Sequence, residues 1–256
     1  MTTTPEAYVH LSEDQKTLTF YYDTLRADRD GTKWGIRDTK DDYGNPAWTA
    51  NSASPNTTIR TAVFDASFHD FRPTTTARWF KNLQWLESIK GFEHLNTSQV
   101  TDMRGMFKGC RYLTALDLSK CPKLEMIACI NNGLTKLDVT MCSKLSVLYC
   151  YRNKLTELKL RGCGWLTELS CGKNYLPNLD FSGCNSLRTA YCCDNDFSYA
   201  ATEELYRSLP DRTTEEEPGH IFILNEDALP AGRTGAGNEG IATKKHWEVL
   251  WCRGDW

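Results

Sequence analysis

This 256-residue chain is short of the groups that usually do chemistry. Its 5 histidines, His10, His69, His94, His220 and His246, lie far apart. There is no H-E-x-x-H, no G-x-S-x-G and no phosphate-cradling P-loop, and the glycine-rich stretch from Gly232 to Gly240, which includes one G-x-G-x-x-G spacing, follows no strand-to-helix frame that would cradle phosphate. An enzyme is therefore not expected. Nor is there a basic excess: 30 Lys and Arg stand against 33 Asp and Glu, a net charge of −3. That removes the attraction a phosphate backbone requires, so no nucleic-acid partner is expected. No apolar run approaches the length of a membrane-spanning helix, and no membrane insertion is expected. The opening MTTTPEAYV lacks an apolar signal core, which fits a cytosolic chain or one whose secretion signal lies outside these residues. The 11 cysteines contain no C-x-x-C pair, so no metal or other cofactor is expected.

What the chain has is a repeat. Cys121, Cys142, Cys163 and Cys184 recur at a constant step of 21, and so do Cys129, Cys150, Cys171 and Cys192. Asn132, Asn153, Asn174 and Asn195 keep the same step, and so do Leu124, Leu145, Leu166 and Leu187. The shared sentence is L-x-x-L-x-C-x-x-N-x-L-x-x-L-x-L-x-x-C-x-x, a leucine-rich repeat with cysteine in one leucine slot. A period in this range implies a solenoid, because one unit cannot bury its own leucines until the next coil stacks on it. The L-x-C segment should be a short strand, and successive strands one parallel sheet. The Asn amides should satisfy backbone groups where the chain leaves the strand. The cysteine ladders should point inward as small buried hydrophobes rather than as metal ligands or disulfides. Abundant unpaired cysteine favours a reducing compartment, although a buried ladder would survive export. Cys193, beside ladder Cys192, should point outward and is the candidate reactive thiol; Cys110 should pack, and Cys252 is left over.

In chain order, 5–23 reads as a hairpin and 26–58 as long loops around a short strand at 32–36. Asp38, Asp41 and Asp42 lack the D-x-D-x-D-G frame of a calcium loop and read as solvated. Two longer coils, offset by 27 from Phe80 to Phe107, should carry short helices at 76–83 and 98–110, with Trp79, Phe80, Met103, Met106 and Phe107 inward. After Asn195 the pattern breaks into a helix at 201–209, a strand at 220–224, a glycine-rich loop, a helical turn at 239–246 and a last strand at 247–251. The expected domains are a β-rich cap at 1–58, the solenoid at 59–200 and a second cap at 201–256. Arg253-Gly254-Asp255 spells a tripeptide read by integrins, but at a chain end it is most simply solvated charge.

Several stretches carry a family resemblance. LNTSQVTDMRGMFKGCRYLTALDLSKC and FDASFHDFRPTTTARWF resemble the repeats of BspA-like leucine-rich-repeat surface proteins of Bacteroidetes. AYVHLSEDQKTLTFYYD and NEGIATKKHWEVLW resemble their terminal caps, and LSVLYCYRNKLTELKL resembles the cysteine-ladder repeats of internalin-J-type proteins. The resemblance implies an α/β leucine-rich-repeat solenoid with one parallel sheet and short helices in its first coils, capped at both ends. It also implies an extracellular or cell-surface module for adhesion, whose partner is a host or neighbouring-cell protein or glycan. The alternatives are a structural spacer and an intracellular scaffold. A monomer is expected.

The outward residues of the strands name a candidate site. They form three columns: Met126, Val147, Glu168, Thr189; then Ala128, Tyr149, Ser170, Tyr191; then Ile130, Tyr151, Gly172, Cys193. Six coils at about 4.8 Å make a face about 25 Å long. Tyr149, Tyr151 and Tyr191 should stand exposed with Arg152 beside them and Tyr175 just beyond, and tyrosine and arginine dominate interface energies. Outward tyrosines also simply suit a strand. Met126 and Ile130 favour binding, because they extend the apolar area instead of breaking it with charge.

Overall fold

The computed structural model describes residues 4–39, 44–49, 56–225 and 238–252. Strands β1 (Glu6–Leu11) and β2 (Thr17–Asp23) form the expected antiparallel hairpin, and β3 (Thr32–Gly35) pairs with the outer edge of β1. The hairpin joins the first coils directly, since β2 runs parallel to β4 (Thr61–Phe64), which pairs in parallel with β5 (Ser88–Lys90). The inward residues of β2 explain this docking. Phe20 is fully buried and lies 4.7 Å from the ring of Phe64, 5.5 Å from Trp79 and 5.6 Å from Phe80.

A second side of the coils builds a parallel seven-stranded sheet. It is made by β6 (Asp102–Met103), β7 (Met126–Ala128), β9 (Val147–Tyr149), β11 (Glu168–Ser170), β12 (Thr189–Tyr191), β13 (Gly219–Asn225) and β14 (Trp247–Cys252), neighbours in that order. Between β7 and β9, and between the other narrow coils, β8 (Lys136–Asp138) and β10 (Glu157–Lys159) return along the first side as a two-stranded parallel ladder. Register shows the periods. Thr61 faces Ser88 and Thr75 faces Asp102, each 27 on; Met126, Val147, Glu168 and Thr189 follow at steps of 21. From Asp102 to Met126 the step is 24, a transition coil between the two periods. The next step, Thr189 to His220, is 31 because α1 (Tyr199–Ser208) is looped out within it, and α2 (Gly240–Thr243) sits before β14. The sheet thus continues through residues beyond 200.

Two expectations of the sequence are corrected. Among the described residues there is not one parallel sheet but three sheets, the first of them mixed. And no helix forms at 76–83 or 98–110; the first coils carry only 3-10 turns at Ala66–Asp70 and Phe92–His94. Alternate amides explain why. Those of Thr76, Arg78, Phe80 and Asn82 donate to the carbonyls of Asp102, Arg104, Met106 and Lys108 in the next coil, at 2.8 to 3.1 Å. Those between them close i→i−3 turns, from Trp79 to Thr76 and from Lys81 to Arg78. A helix would commit each of them to the carbonyl four residues back, along its own axis. Arg78 and Asn82 also have φ of 63° and 58°, matched at the same places in the next coil by Gly105 and Gly109, and left-handed residues interrupt a right-handed helix. The inward assignments hold: Trp79, Phe80, Met103, Met106 and Phe107 are all buried.

In the narrow coils the ladders interlock. All eight ladder cysteines are free and buried. Each Asn of the column after Asn132 then stitches two coils. Asn153 Nδ2 donates to the Cys150 carbonyl (3.0 Å) and to that of Cys129 one coil back (2.9 Å), while its Oδ1 accepts from the Leu134 amide (3.1 Å). Asn174 repeats the set on Cys171, Cys150 and Leu155. The residue before each Asn is left-handed: Asn131, Arg152, Lys173 and Asp194 have φ between 54° and 60°. Bulky residues adopt this at a cost of about 1–2 kcal/mol. The stack holds them there, with the Arg152 amide donating to Gly172 (3.0 Å) and that of Lys173 to Cys193 (2.9 Å).

Candidate binding face

Because the ladder is in register, alternation along each three-residue strand aims its central residue inward and the two flanking ones out. Ile127, Leu148, Leu169, Ala190 and Ile221 are fully buried. The flanking residues stack in the columns read from the sequence, and the register extends those columns past residue 200. His220 and Glu248 continue the first, Phe222 and Leu250 the second.

The second column carries the aromatic run. Tyr149 and Tyr191 are separated by Ser170, and Tyr191 stacks on Phe222 with centroids 4.6 Å apart and planes at 16°. The small Ser170 leaves a gap between two rings. The result is a shallow depression of about 300 Å³ lined by Ile130, Tyr149, Tyr151, Glu168, Ser170 and Tyr191. The tyrosines are half-buried rather than exposed as expected, Tyr191 being shielded by the Phe222 ring on the next rung. The Tyr149 hydroxyl donates to Glu168 Oε1 at 2.9 Å. Burial, reinforced by that carboxylate, pushes the Tyr149 hydroxyl up to about 12, and burial with the Glu168 charge also raises Tyr191. Both rings are neutral at physiological pH.

The predicted residues fall into two groups. Ile130, Tyr149, Tyr151 and Tyr191 converge on the depression, and half-buried Met126 begins the first column beside it. Arg152 and Tyr175 do not line it; they stand exposed past the strand ends, Tyr175 at 54%. Sequence reading placed Glu168 and Ser170 in the columns without choosing them, and it missed Phe222. Alternation in HIFIL carried a signal for Phe222, since Ile221 and Ile223 point one way and Phe222 the other. Basic side chains edge the face on the Arg152 and Lys173 side, and Glu168 and Glu248 lie on the opposite edge.

Cys193 overturns its expectation. It is 8% exposed and disulfide-bonded to Cys252, with Cα atoms 6.4 Å apart. The extension of the sheet beyond residue 200 brings β14 close enough to supply its partner, so neither residue is a reactive surface thiol. Asp38 accepts from the Gly35 amide at 2.6 Å, while Asp41, Asp42, residues 232–237 and the Arg253-Gly254-Asp255 triplet lie outside the described residues. Among the described residues no cluster of three or more His, Cys, Asp or Glu is arranged to hold a metal ion, and no helix is long and apolar enough to cross a membrane.

No protein-family model matches the chain. No curated protein matches it either. Among solved structures, the functional domain of InlJ from Listeria monocytogenes, described as including a cysteine ladder, is 16% identical with a TM-score of 0.33, covering 76% of this chain and 64% of that one. A TLR13–ssRNA13 complex is 16% identical with a TM-score of 0.37, covering 66% of this chain and 29% of that one. The chain thus spans less than two thirds of the length of either, and both are leucine-rich-repeat proteins.

Proposed function

We propose that this chain is a leucine-rich-repeat solenoid, closed by caps at 1–58 and 201–256, that serves as a non-catalytic binding module of a bacterial cell-surface or secreted protein of the BspA-like kind. Its ligand is a protein or glycan of a host or neighbouring cell. The observation that carries the reading is the depression between Tyr149, Tyr151 and Tyr191 on the outer face of the sheet. Aromatic rings with polar tips, gathered around a concavity on a rigid scaffold, are what ligand sites are made of. Met126 and Ile130 widen the apolar area, and Arg152 and Tyr175 supply a rim. Export is supported by the Cys193–Cys252 disulfide, a bond that persists in oxidising compartments.

The test is a screen against host matrix proteins and glycans, with the Tyr149→Ala, Tyr151→Ala, Arg152→Ala triple variant as control. None of the three fills the core, so the melting temperature should hold within a few degrees. Affinity for a ligand found in the screen should fall about tenfold or more. Unchanged affinity would move the site elsewhere and favour a spacer.

A further inference from the structure

Glu168 is the odd member of its surroundings. Its carboxylate sits among Tyr149, Tyr151, Tyr191 and Ile130, accepts one hydrogen bond from the Tyr149 hydroxyl, and takes part in no ion pair among the described residues. The two other carboxylates of the narrow coils' strands are both neutralised: Glu157 pairs with Lys136 at 3.1 Å and Asp138 with Lys159 at 3.5 Å. The nearest basic residue in register, Arg188, precedes Thr189, the partner of Glu168, and pairs instead with Glu215 at 3.5 Å, while Arg152 and Lys173 ride the left-handed turns beyond the strands. Aromatic rings present negative π faces, and a carboxylate beside them adds a full charge. The depression is therefore a negative pocket with apolar walls and, among the described residues, no basic side chain in its lining.

We propose that this pocket receives the basic side chain, arginine or lysine, of a polypeptide partner. The cation lies against the rings of Tyr149 and Tyr191, and the second oxygen of Glu168 pairs with it. The proposal rests on the reading of this face as a binding surface and narrows it to one class of partner. A neutral glycan could stack on the same rings but would leave the carboxylate uncompensated. The face also carries the acid Glu168 in its first column and, past the opposite edge, the basic Arg152 and Lys173. A polypeptide bearing charges of both signs can complement that pattern. The stem of a lysine or arginine would cover Ile130 and the ring edges while its head meets Glu168, as such side chains do on apolar surfaces.

The probes are three capped pentapeptides, Gly-Gly-Xaa-Gly-Gly, with arginine, lysine or the neutral norleucine at the centre, titrated into the intact chain and followed by tyrosine fluorescence and NMR. The arginine and lysine peptides should bind saturably with Kd of about 1 mM, and the norleucine peptide at least about tenfold more weakly. Glu168→Gln keeps an acceptor for the Tyr149 hydroxyl, so its melting temperature should be unchanged while cation binding falls about fivefold or more. Tyr191→Ala should weaken binding similarly, and added salt should weaken the wild type. Equal binding of the norleucine peptide, no binding by any peptide, or unaltered affinity in Glu168→Gln each overturns the proposal. A glycan bound by the wild type and lost in the triple variant would do so too, while leaving the binding face itself intact. Loss of the binding face shows differently, as a screened ligand held equally by the wild type and the triple variant.

Discussion

The wide coils and the narrow ones share a single core but fill it by different rules. Thr61 on the first side and Thr75 on the second are 14 apart in sequence, and Ser88, back on the first side, comes 13 later. In the narrow coils Lys136 to Val147 is 11, and 10 more reach Glu157. Each half-turn is therefore shorter by three. Circumference sets cross-section, and interiors pack at fixed density, so the wide coils need larger side chains. Phe20, Phe64, Phe68, Trp79, Phe80 and Phe107 supply them, the last pair stacked at 5.6 Å. The narrow coils hold chiefly leucine and cysteine instead, with Phe181 where the preceding coils have Val139 and Leu160. The cysteine ladder is thus a statement about space rather than reactivity.

The junction shows the same thing from the polar side. Asn153, Asn174 and Asn195 each offer Oδ1 to an amide of the preceding coil, but Asn132 opens the column, and its Oδ1 is buried without a protein partner. The coil before it runs differently, with the Leu113 amide committed to Cys110. Gly133 stands where the later coils have Lys154 and Tyr175, because a Cβ there would meet the Arg111 carbonyl at 3.0 Å.

The largest effect that could break this comparison is an exchange of side-chain size. Phe80→Ala should cost about 3–5 kcal/mol in urea unfolding, since the ring is wholly buried and touches three other rings. The opposite change in a narrow coil, Cys150→Phe, should cost at least about 1–3 kcal/mol through overpacking. If Cys150→Phe were neutral, coil width would not be what limits the narrow core.

Next in size is the Asn column. Asn153→Ala strands a buried amide and weakens the satisfaction of two carbonyls, and should cost about 3 kcal/mol. Asn132→Ala removes one donated bond, to Cys129, and also removes an unpartnered oxygen, so it should cost only about 1 kcal/mol. Equal losses at the two positions would mean that the junction is no different from the interior of the stack.

How much of this was legible follows from where the period holds. The ladders of Leu, Cys and Asn could be read because one coil constrains the next at a fixed step, and Tyr149, Tyr151 and Tyr191 followed by alternation. The wide coils misled because TARWFKNL has helical spacing of Trp79, Phe80 and Leu83. Its alternate amides are taken by the neighbouring coil, a contact distant in sequence that no local pattern announces. Phe222 and the Cys193 bridge were hidden by the step of 31, where α1 lengthens the coil and erases the register from the sequence. Glu168 could be placed but not weighed, since its lack of an ion pair is a fact of three dimensions.

A smaller effect separates the thiols by environment. Burial pushes Cys129, Cys142 and Cys184 up to about 12 and Cys121 and Cys163 to about 11, against an unfolded value of about 8.5. The native state holds these protons more tightly. Stability should therefore be flat below pH of about 8.5 and fall as pH rises toward 11 and 12. An aromatic-thiol reagent at neutral pH should label none of the 9 free cysteines in the folded chain, all 9 in denaturant, and 11 after reduction. Rapid labelling of several native thiols would show that the narrow coils open readily.

The smallest effect belongs to the outer face, where packing is light and the groups meet water. Tyr149 ionises at about 12 because burial comes first and the Glu168 carboxylate adds to it. An unfolded tyrosine ionises near 10, so the native state retains this proton, and the stability it contributes is present below pH of about 10 and lost as pH rises to 12. Glu168→Gln removes the charge but leaves an acceptor for the hydroxyl. The tyrosinate absorbance of the variant should then gain a component at lower pH than in the wild type, with only part of the displacement removed, since burial remains. Its unfolding free energy at pH 7 should change by less than about 0.5 kcal/mol. Tyr149→Phe should delete the same late-titrating component and assign it. A titration identical in wild type and Glu168→Gln would mean that the carboxylate does not act on the ring. The pocket's charge would then be too well screened to distinguish the outer face from any other stretch of exposed sheet.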